Sequence, residues 1–121
     1  MRVLLRKASE LIARKCDVKT QKVCALALHK GQIIASATNT RGSGGISRFT
    51  THAEEALVKK LWRNRVKYPP KAVTVFVIRE LRGGGFGMAL PCPDCSFLLG
   101  KVGVRSILYT TDLPQVGELF N

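Results

Sequence analysis

The segment Pro91-Cys92-Pro93-Asp94-Cys95 sits between two apolar stretches, and its reading decides how the chain is organised. Cys92 and Cys95 are three residues apart, so on a helix they share a face across one turn. Pro93 suits the first helical position, because the N–H it lacks would have no intrahelical partner there. The helix predicted from Pro93 runs to about Lys101, and Gly103 separates it from the next apolar run. Ala72 to Ile78, upstream, is rich in β-branched residues and reads as a buried strand. Val104 to Tyr109, downstream, reads as another. Strand, helix, strand in that order requires a crossover and predicts some parallel pairing, which is the α/β class. The N-terminus of the intervening helix offers free N–H groups and a positive dipole end, both of which favour thiolates over thiols.

A second segment, Thr51-His52-Ala53-Glu54, also opens a predicted helix, running to about Lys67 before Tyr68-Pro69-Pro70 stops it. Its expected inward residues are Ala53, Ala56, Leu57, Leu61 and Trp62, and its other face carries Lys59, Lys60, Arg63, Arg65 and Lys67. Together the two segments provide one imidazole, two thiols and one carboxylate. Nitrogen and sulfur ligands of this kind hold zinc in a tetrahedron, and three protein ligands leave the fourth position for water, the catalytic pattern. His52 and Glu54 are two apart and would diverge inside a helix, so both can face one site only at the helix's N-terminal end. Other readings compete. Thr51-x-x-Glu54 is also a capping box. A lone C-x-x-C is also redox or structural zinc, but a proline on each side and a distant His-x-Glu argue against both. The glycines at 83–87 read as a turn, since no G-K-[ST] comes after them.

The remainder is compatible with one domain spanning 1–121. Residues 3–15 form an amphipathic helix, and Lys22–His29 with Gln32–Thr38 form a hairpin turning at Lys30-Gly31. Residues 39–51 and 81–90 are glycine-rich loops, and 113–120 is expected to close as a short helix. Phe49 and Phe86 fall in loops flanking the motifs, where they could stack on bases; His29 reads as a strand-end residue, and Cys16 and Cys24 as small buried side chains. The chain has 20 Lys plus Arg against 8 Asp plus Glu. Residues 1–71 hold 16 of the basic and four of the acidic side chains, so the whole excess of +12 lies there. Such a field draws phosphate and polyanions to the surface. No apolar run approaches the ~20 residues of a membrane span, and Arg2, Arg6 and Lys7 break the first apolar stretch too early for a secretory signal. An intracellular, cytoplasmic protein with no membrane partner and no disulfide framework is expected.

The joint H-x-E … P-C-x-x-C pattern is the signature of zinc nucleobase deaminases, and over residues 20–112 the chain resembles the cytidine and deoxycytidylate deaminase superfamily. The resemblance implies a cytidine-deaminase-like fold, a mixed β-sheet flanked by helices in a single domain, with Zn2+ between the N-termini of the second and third helices. It implies that His52, Cys92 and Cys95 bind the metal. It implies that Glu54 shuttles a proton from the nucleophilic water to the ring nitrogen and then to the leaving amine. Asn39 matches the family's substrate-orienting asparagine. Backbone at Ala53 and Leu90 is expected against the base, and Tyr109, with the Thr110-Thr111-Asp112 turn, matches a substrate-contacting loop. Relatives commonly form dimers or tetramers. Free-cytidine deaminases carry Cys where this chain has His52, so the resemblance leans toward the deoxycytidylate, polynucleotide and adenine-tRNA branches. Cys95-x-x-Leu98 … Gly103-Val104-x-x-Ile107-x-Tyr109 is similar to the first two. The glycine-rich 81–87 loop departs from the pattern, and the fifth strand is expected to be missing or supplied late. Net charge favours cytosine deamination in a polynucleotide, single-stranded DNA or RNA, because a free nucleotide needs only one or two cations. The alternatives are a deaminase of free deoxycytidine nucleotides or cytidine, an adenine deaminase acting on tRNA, and a non-catalytic basic nucleic-acid-binding zinc module.

Overall fold

Alternation along the two longest strands sets the architecture. In β1 (Lys22–His29), Cys24, Leu26 and Leu28 point to one side and Ala25 and Ala27 to the other. In β5 (Val73–Glu80), Phe76 and Ile78 oppose Val73, Val75 and Val77 in the same way. Both faces are apolar, so both must be covered. The computed structural model, which describes residues 2–15, 22–41, 50–81, 85–111 and 116–119, shows what covers them. Helix α1 (Arg2–Lys15) lays Ala8, Leu11 and Ile12 on the first face. Helices α2 (Ala53–Arg63) and α3 (Pro93–Val102) cover the second with Ala53, Leu57, Leu61 and Leu99. An 11-residue helix is marginal alone. Each buried leucine contributes about 1.5–3 kcal/mol, so packing rather than propensity holds α2 in place.

The main sheet also contains β2 (Gln32–Thr38), β7 (Ser106–Thr110) and β8 (Val116–Leu119), in the order β2-β1-β5-β7-β8. Only β5 and β7 run parallel, from Thr74 opposite Ser106 to Val77 opposite Tyr109, among the described pairings. The β1–β2 hairpin turns at Lys30-Gly31, both at positive φ, the primed geometry that suits strand twist. The parallel pair is joined through α3, as the strand–helix–strand reading requires. The carboxyl ends of β5 and β7 therefore lie at one edge with the start of α3, the place where open α/β sheets bind ligands.

Four expectations are corrected. Helix α2 ends at Arg63, with Asn64 as its cap, rather than near Lys67. Trp62 is 53% exposed and not inward; it lies well round the helix from Leu61's buried stripe. Residues 116–119 form a strand, not a helix: the open edge of β7 needs hydrogen-bond partners, and Val-Gly-Glu-Leu supplies them antiparallel. This strand is the late-supplied fifth one. Gly117 is required there, since a β-carbon at that position would fall on the ring of Tyr109 opposite. Within 81–90, β6 (Phe86–Gly87) pairs with Arg79 and Glu80, and Phe86 packs beside the α1 face instead of standing free. A two-residue ribbon, β3 (Thr40–Arg41) with β4 (Thr50–Thr51), brackets the loop before α2. Phe49, Cys16 and the glycines at 83–84 lie outside the described residues. His29 ends β1 with its ring 5.2 Å from that of Tyr68, and Cys24 is fully buried. Among the described residues no helix is long and apolar enough to cross a membrane.

Candidate active site

Both helices that meet at this edge begin in the same way. His52 is the N-cap of α2 and Cys92 the N-cap of α3, each in extended backbone. A cap residue lies outside the helical repeat, which resolves the two-residue spacing of His52 and Glu54. The imidazole leaves from the cap while Glu54, at the second helical position, turns inward to 6% exposure. The Cys92 sulfur does the capping at its own helix, accepting the Cys95 N–H at 3.5 Å. The capping-box reading of Glu54 fails, because the cap is His52 rather than Thr51 and no side chain caps α2.

His52 Nδ1 lies 3.3 Å from Cys95 Sγ and 3.8 Å from Cys92 Sγ. The three ligand atoms all fall within 4.8 Å of one another. A tetrahedral zinc with Zn–N near ~2.05 Å and Zn–S near ~2.3 Å sets N···S at about 3.6 Å, so the observed pair brackets the ideal. The fit is to zinc in its N/S ligand chemistry as well as its spacing, and the fourth corner carries no protein ligand among these three. His52 is exposed, Cys92 half-buried and Cys95 buried, so one side of the group is open.

Glu54 completes the arrangement. Burial pushes its carboxyl above the usual glutamate range, against the opposing pull of its own backbone N–H, of His52, and of a hydrogen bond with the Cys95 thiol. Cys95 is pushed far up as well, chiefly by burial and then by the negative charge of Glu54. The helix dipole therefore does not make Cys95 a thiolate in the metal-free protein. A helix N-terminus contributes about 0.3–2 kcal/mol, whereas burying a charge costs several.

The substrate residues expected from the resemblance divide. Asn39 is buried just past β2, and its Oδ1 accepts the Val23 N–H at 2.9 Å while its own N–H donates to the Val23 carbonyl. That clamp fixes the orientation of the amide. Ala53 is fully buried at the first position of α2, where a backbone N–H has no intrahelical acceptor. Leu90 exposes half its side chain beside the motif, and Tyr109 is half-buried near the end of β7. Phe49 falls outside the described residues. Composition gave no sign of Thr110 as a strut. Its hydroxyl donates to the Gly87 carbonyl at 2.8 Å and accepts the Arg79 N–H at 3.1 Å, and its carbonyl takes the Ala89 N–H at 2.8 Å. These bonds tie the segment leading to Cys92 onto β5 and β7. Thr110→Val is expected to cost about 1–3 kcal/mol, the penalty for leaving buried backbone groups unpaired, and Thr110→Ser to restore most of it; urea melts of the two variants check this.

A cap imidazole and two helix-end sulfurs gather around an open corner, with a buried carboxyl against one sulfur, an arrangement whose ligand chemistry and spacing fit zinc. The family model described as "Cytidine and deoxycytidylate deaminase zinc-binding region" matches residues 2–111. The chain belongs to the cytidine and deoxycytidylate deaminase family, and its cofactor is Zn2+. Its fold is shared with a cytidine deaminase from Burkholderia pseudomallei: TM-score 0.69, 17% identity, 99% of this chain and 92% of that one covered. A cytidine deaminase from Mycobacterium tuberculosis gives a TM-score of 0.60 at 19% identity, covering 93% and 87%. The dCMP deaminase of the cyanophage S-TIM5 gives 0.54 at 26% identity, covering 91% and 82%; its complex with dCMP and dUMP gives 0.57 at 25%, covering 89% and 78%. No curated protein gives a significant sequence match.

Proposed function

We propose that this protein hydrolyses the exocyclic amine of cytosine, giving uracil and ammonia, and that its substrate is cytosine within single-stranded nucleic acid. The observation that carries the chemistry is the buried Glu54 carboxyl set against Cys95 beside the His52–Cys92–Cys95 group. A structural zinc site has no use for a carboxyl at that place. Zinc, when bound by His52, Cys92 and Cys95, supplies Lewis acidity that brings a coordinated water's pKa to about 7. Glu54 takes a proton from the attacking water and passes it to the ring nitrogen. It then takes the second proton, from the hydroxyl now on C4, and delivers it to the amine, so that the C4–N bond breaks, ammonia leaves and a C4=O double bond remains. In the metal-free protein burial raises its carboxyl above the usual glutamate range, the direction that favours holding a proton between the two transfers. Asn39, held by Val23, orients the substrate; the Ala53 and Leu90 backbone touches the base, and Tyr109 contacts the substrate from the end of β7.

The preference for a polynucleotide rests on charge: the +12 excess lies wholly in residues 1–71, which include α2. The likeness to a phage dCMP deaminase at 26% identity favours a second reading, a deaminase of free deoxycytidine nucleotides. One assay separates them. The zinc-loaded protein is incubated with cytidine, dCMP and a cytosine-containing oligonucleotide, and mass spectrometry reads conversion of cytosine to uracil. Conversion in the oligonucleotide is expected; product from monomers alone would overturn the polynucleotide reading and leave the chemistry standing.

A further inference from the structure

The far end of α2 carries features the chemistry does not use. Trp62 turns its indole to solvent, and Arg65 lies over that ring with Cζ 4.3 Å from its centroid. Arg65 Nη1 also donates to the Trp62 carbonyl at 2.7 Å, so the guanidinium is fixed at two points. Lys67 lies over Tyr68 in the same manner, at 5.4 Å. Residues 59–71 hold six basic side chains and no acidic one. Of these, Lys60 reaches inward to the Ser36 carbonyl, while Lys59, Arg63, Arg65, Lys67 and Lys71 are exposed. An exposed aromatic flanked by anchored cations is what sequence-tolerant stacking of a base beside its phosphates requires. A purely solvating stripe has no need of an indole held at its centre.

We infer that this end of α2 and the turn after it form a track for the single strand flanking the target cytosine, with Trp62 as the stacking platform and Arg63, Arg65, Lys67 and Lys71 as phosphate contacts. The inference rests on the polynucleotide reading above. Trp62 is ten residues beyond His52, about 15 Å along the helix axis. That distance corresponds to about four stacked nucleotides at roughly 3.4 Å each. The track therefore engages only strands that extend about four nucleotides past the target on one side. A lipid surface would be drawn by the same charge but has no base to stack on Trp62.

The experiment uses the zinc-loaded full chain and labelled oligonucleotides carrying one cytosine with flanks of one to eight nucleotides. Binding is followed by anisotropy across a salt series, and deamination is scored in parallel. Wild type is expected to tighten as one flank passes about four nucleotides. Trp62→Ala should weaken binding of the long strand by roughly five- to 150-fold, while conversion of any monomer the protein accepts stays unchanged. Arg65→Ala with Lys67→Ala should lower the slope of log affinity against log salt by about 0.7 per contact removed. Long strands deaminated while both variants match wild type would overturn the track and spare the polynucleotide reading. Monomers alone deaminated, with no strand bound, would overturn both. Binding to phosphatidylserine vesicles that displaces the oligonucleotide and fails in the same variants would overturn the track in favour of a membrane surface.

Discussion

Glu54→Gln is expected to leave zinc in place and to remove turnover. Glutamine keeps the size and one hydrogen-bonding oxygen of the carboxyl but can neither take a proton from water nor return it. General acid–base catalysis is worth about 10²–10⁴-fold, and the proposed mechanism uses Glu54 at both attack and departure, so the upper part of that range is expected. Metal content by elemental analysis should match wild type, because Glu54 is not among the residues positioned to hold the metal, His52, Cys92 and Cys95. The same substitution has an opposite effect on stability. Burial raises the Glu54 pKa, so the folded, metal-stripped protein holds that proton more tightly than the unfolded chain does. Its stabilising contribution is complete below the ordinary glutamate range and is lost as pH rises through the raised value. Glutamine has no such loss. Thermal melts of the metal-stripped proteins should therefore place Glu54→Gln above wild type at mildly alkaline pH, with the gap closing towards about pH 4. A variant that retains activity, or that melts below wild type at the higher pH, would leave Glu54 without the role assigned to it.

How much of the molecule is legible in the chain depends on how local each signal is. The strand–helix–strand order around Cys92 rests on short-range features: β-branched runs, Pro93 at a helix start and a left-handed Gly103 after its end. All of these hold in the structure. The spacing of His52 and Glu54 points to the correct end of the helix, and the cap position of His52 explains why that spacing works. The departures are long-range. Residues 116–119 are a strand because β7 offers them a partner, which no local pattern records. Phe86 packs locally because β5 captures β6. Hydrophobicity alone places Trp62 inward, although the helical repeat at Leu57 and Leu61 already excludes it. Thr110 is visible in the sequence only as part of a turn, since its three bonds run to residues more than 20 positions away. The branch suggested by His52 is not a matter of fold: cytidine and dCMP deaminases share the architecture. The arrangement of strands therefore does not separate the substrates, and the polynucleotide proposal rests on the basic charge of residues 1–71, including the cluster at residues 59–71, instead.

Metal loading is expected to be strongly dependent on pH, and its loss to silence the protein. A chelator that strips zinc removes the groups' common centre, so activity should fall to background and return on adding zinc alone. The sign of the pH dependence is set by Cys95. Burial, and after it the charge of Glu54, raises its pKa far above that of a free thiol, so the metal-free protein carries a proton on this sulfur across the neutral range. Zinc binds the thiolate and must expel that proton. Apparent affinity therefore rises with pH, by about tenfold per unit for each thiol proton released, and zinc already bound is shed on acidification. Competition against a chromogenic chelator between about pH 6 and 8 reads the slope, and calorimetry in buffers of different ionisation enthalpy counts the protons. Glu54→Gln supplies an independent check: removing the negative charge beside Cys95 should ease its ionisation in the metal-free state and shift the affinity curve to lower pH. An affinity flat across that interval would mean that Cys95 is already a thiolate, with the dipole of α3 outweighing burial. Burial would then no longer be the dominant force on the sulfur, and the proton inventory of the site would be reversed.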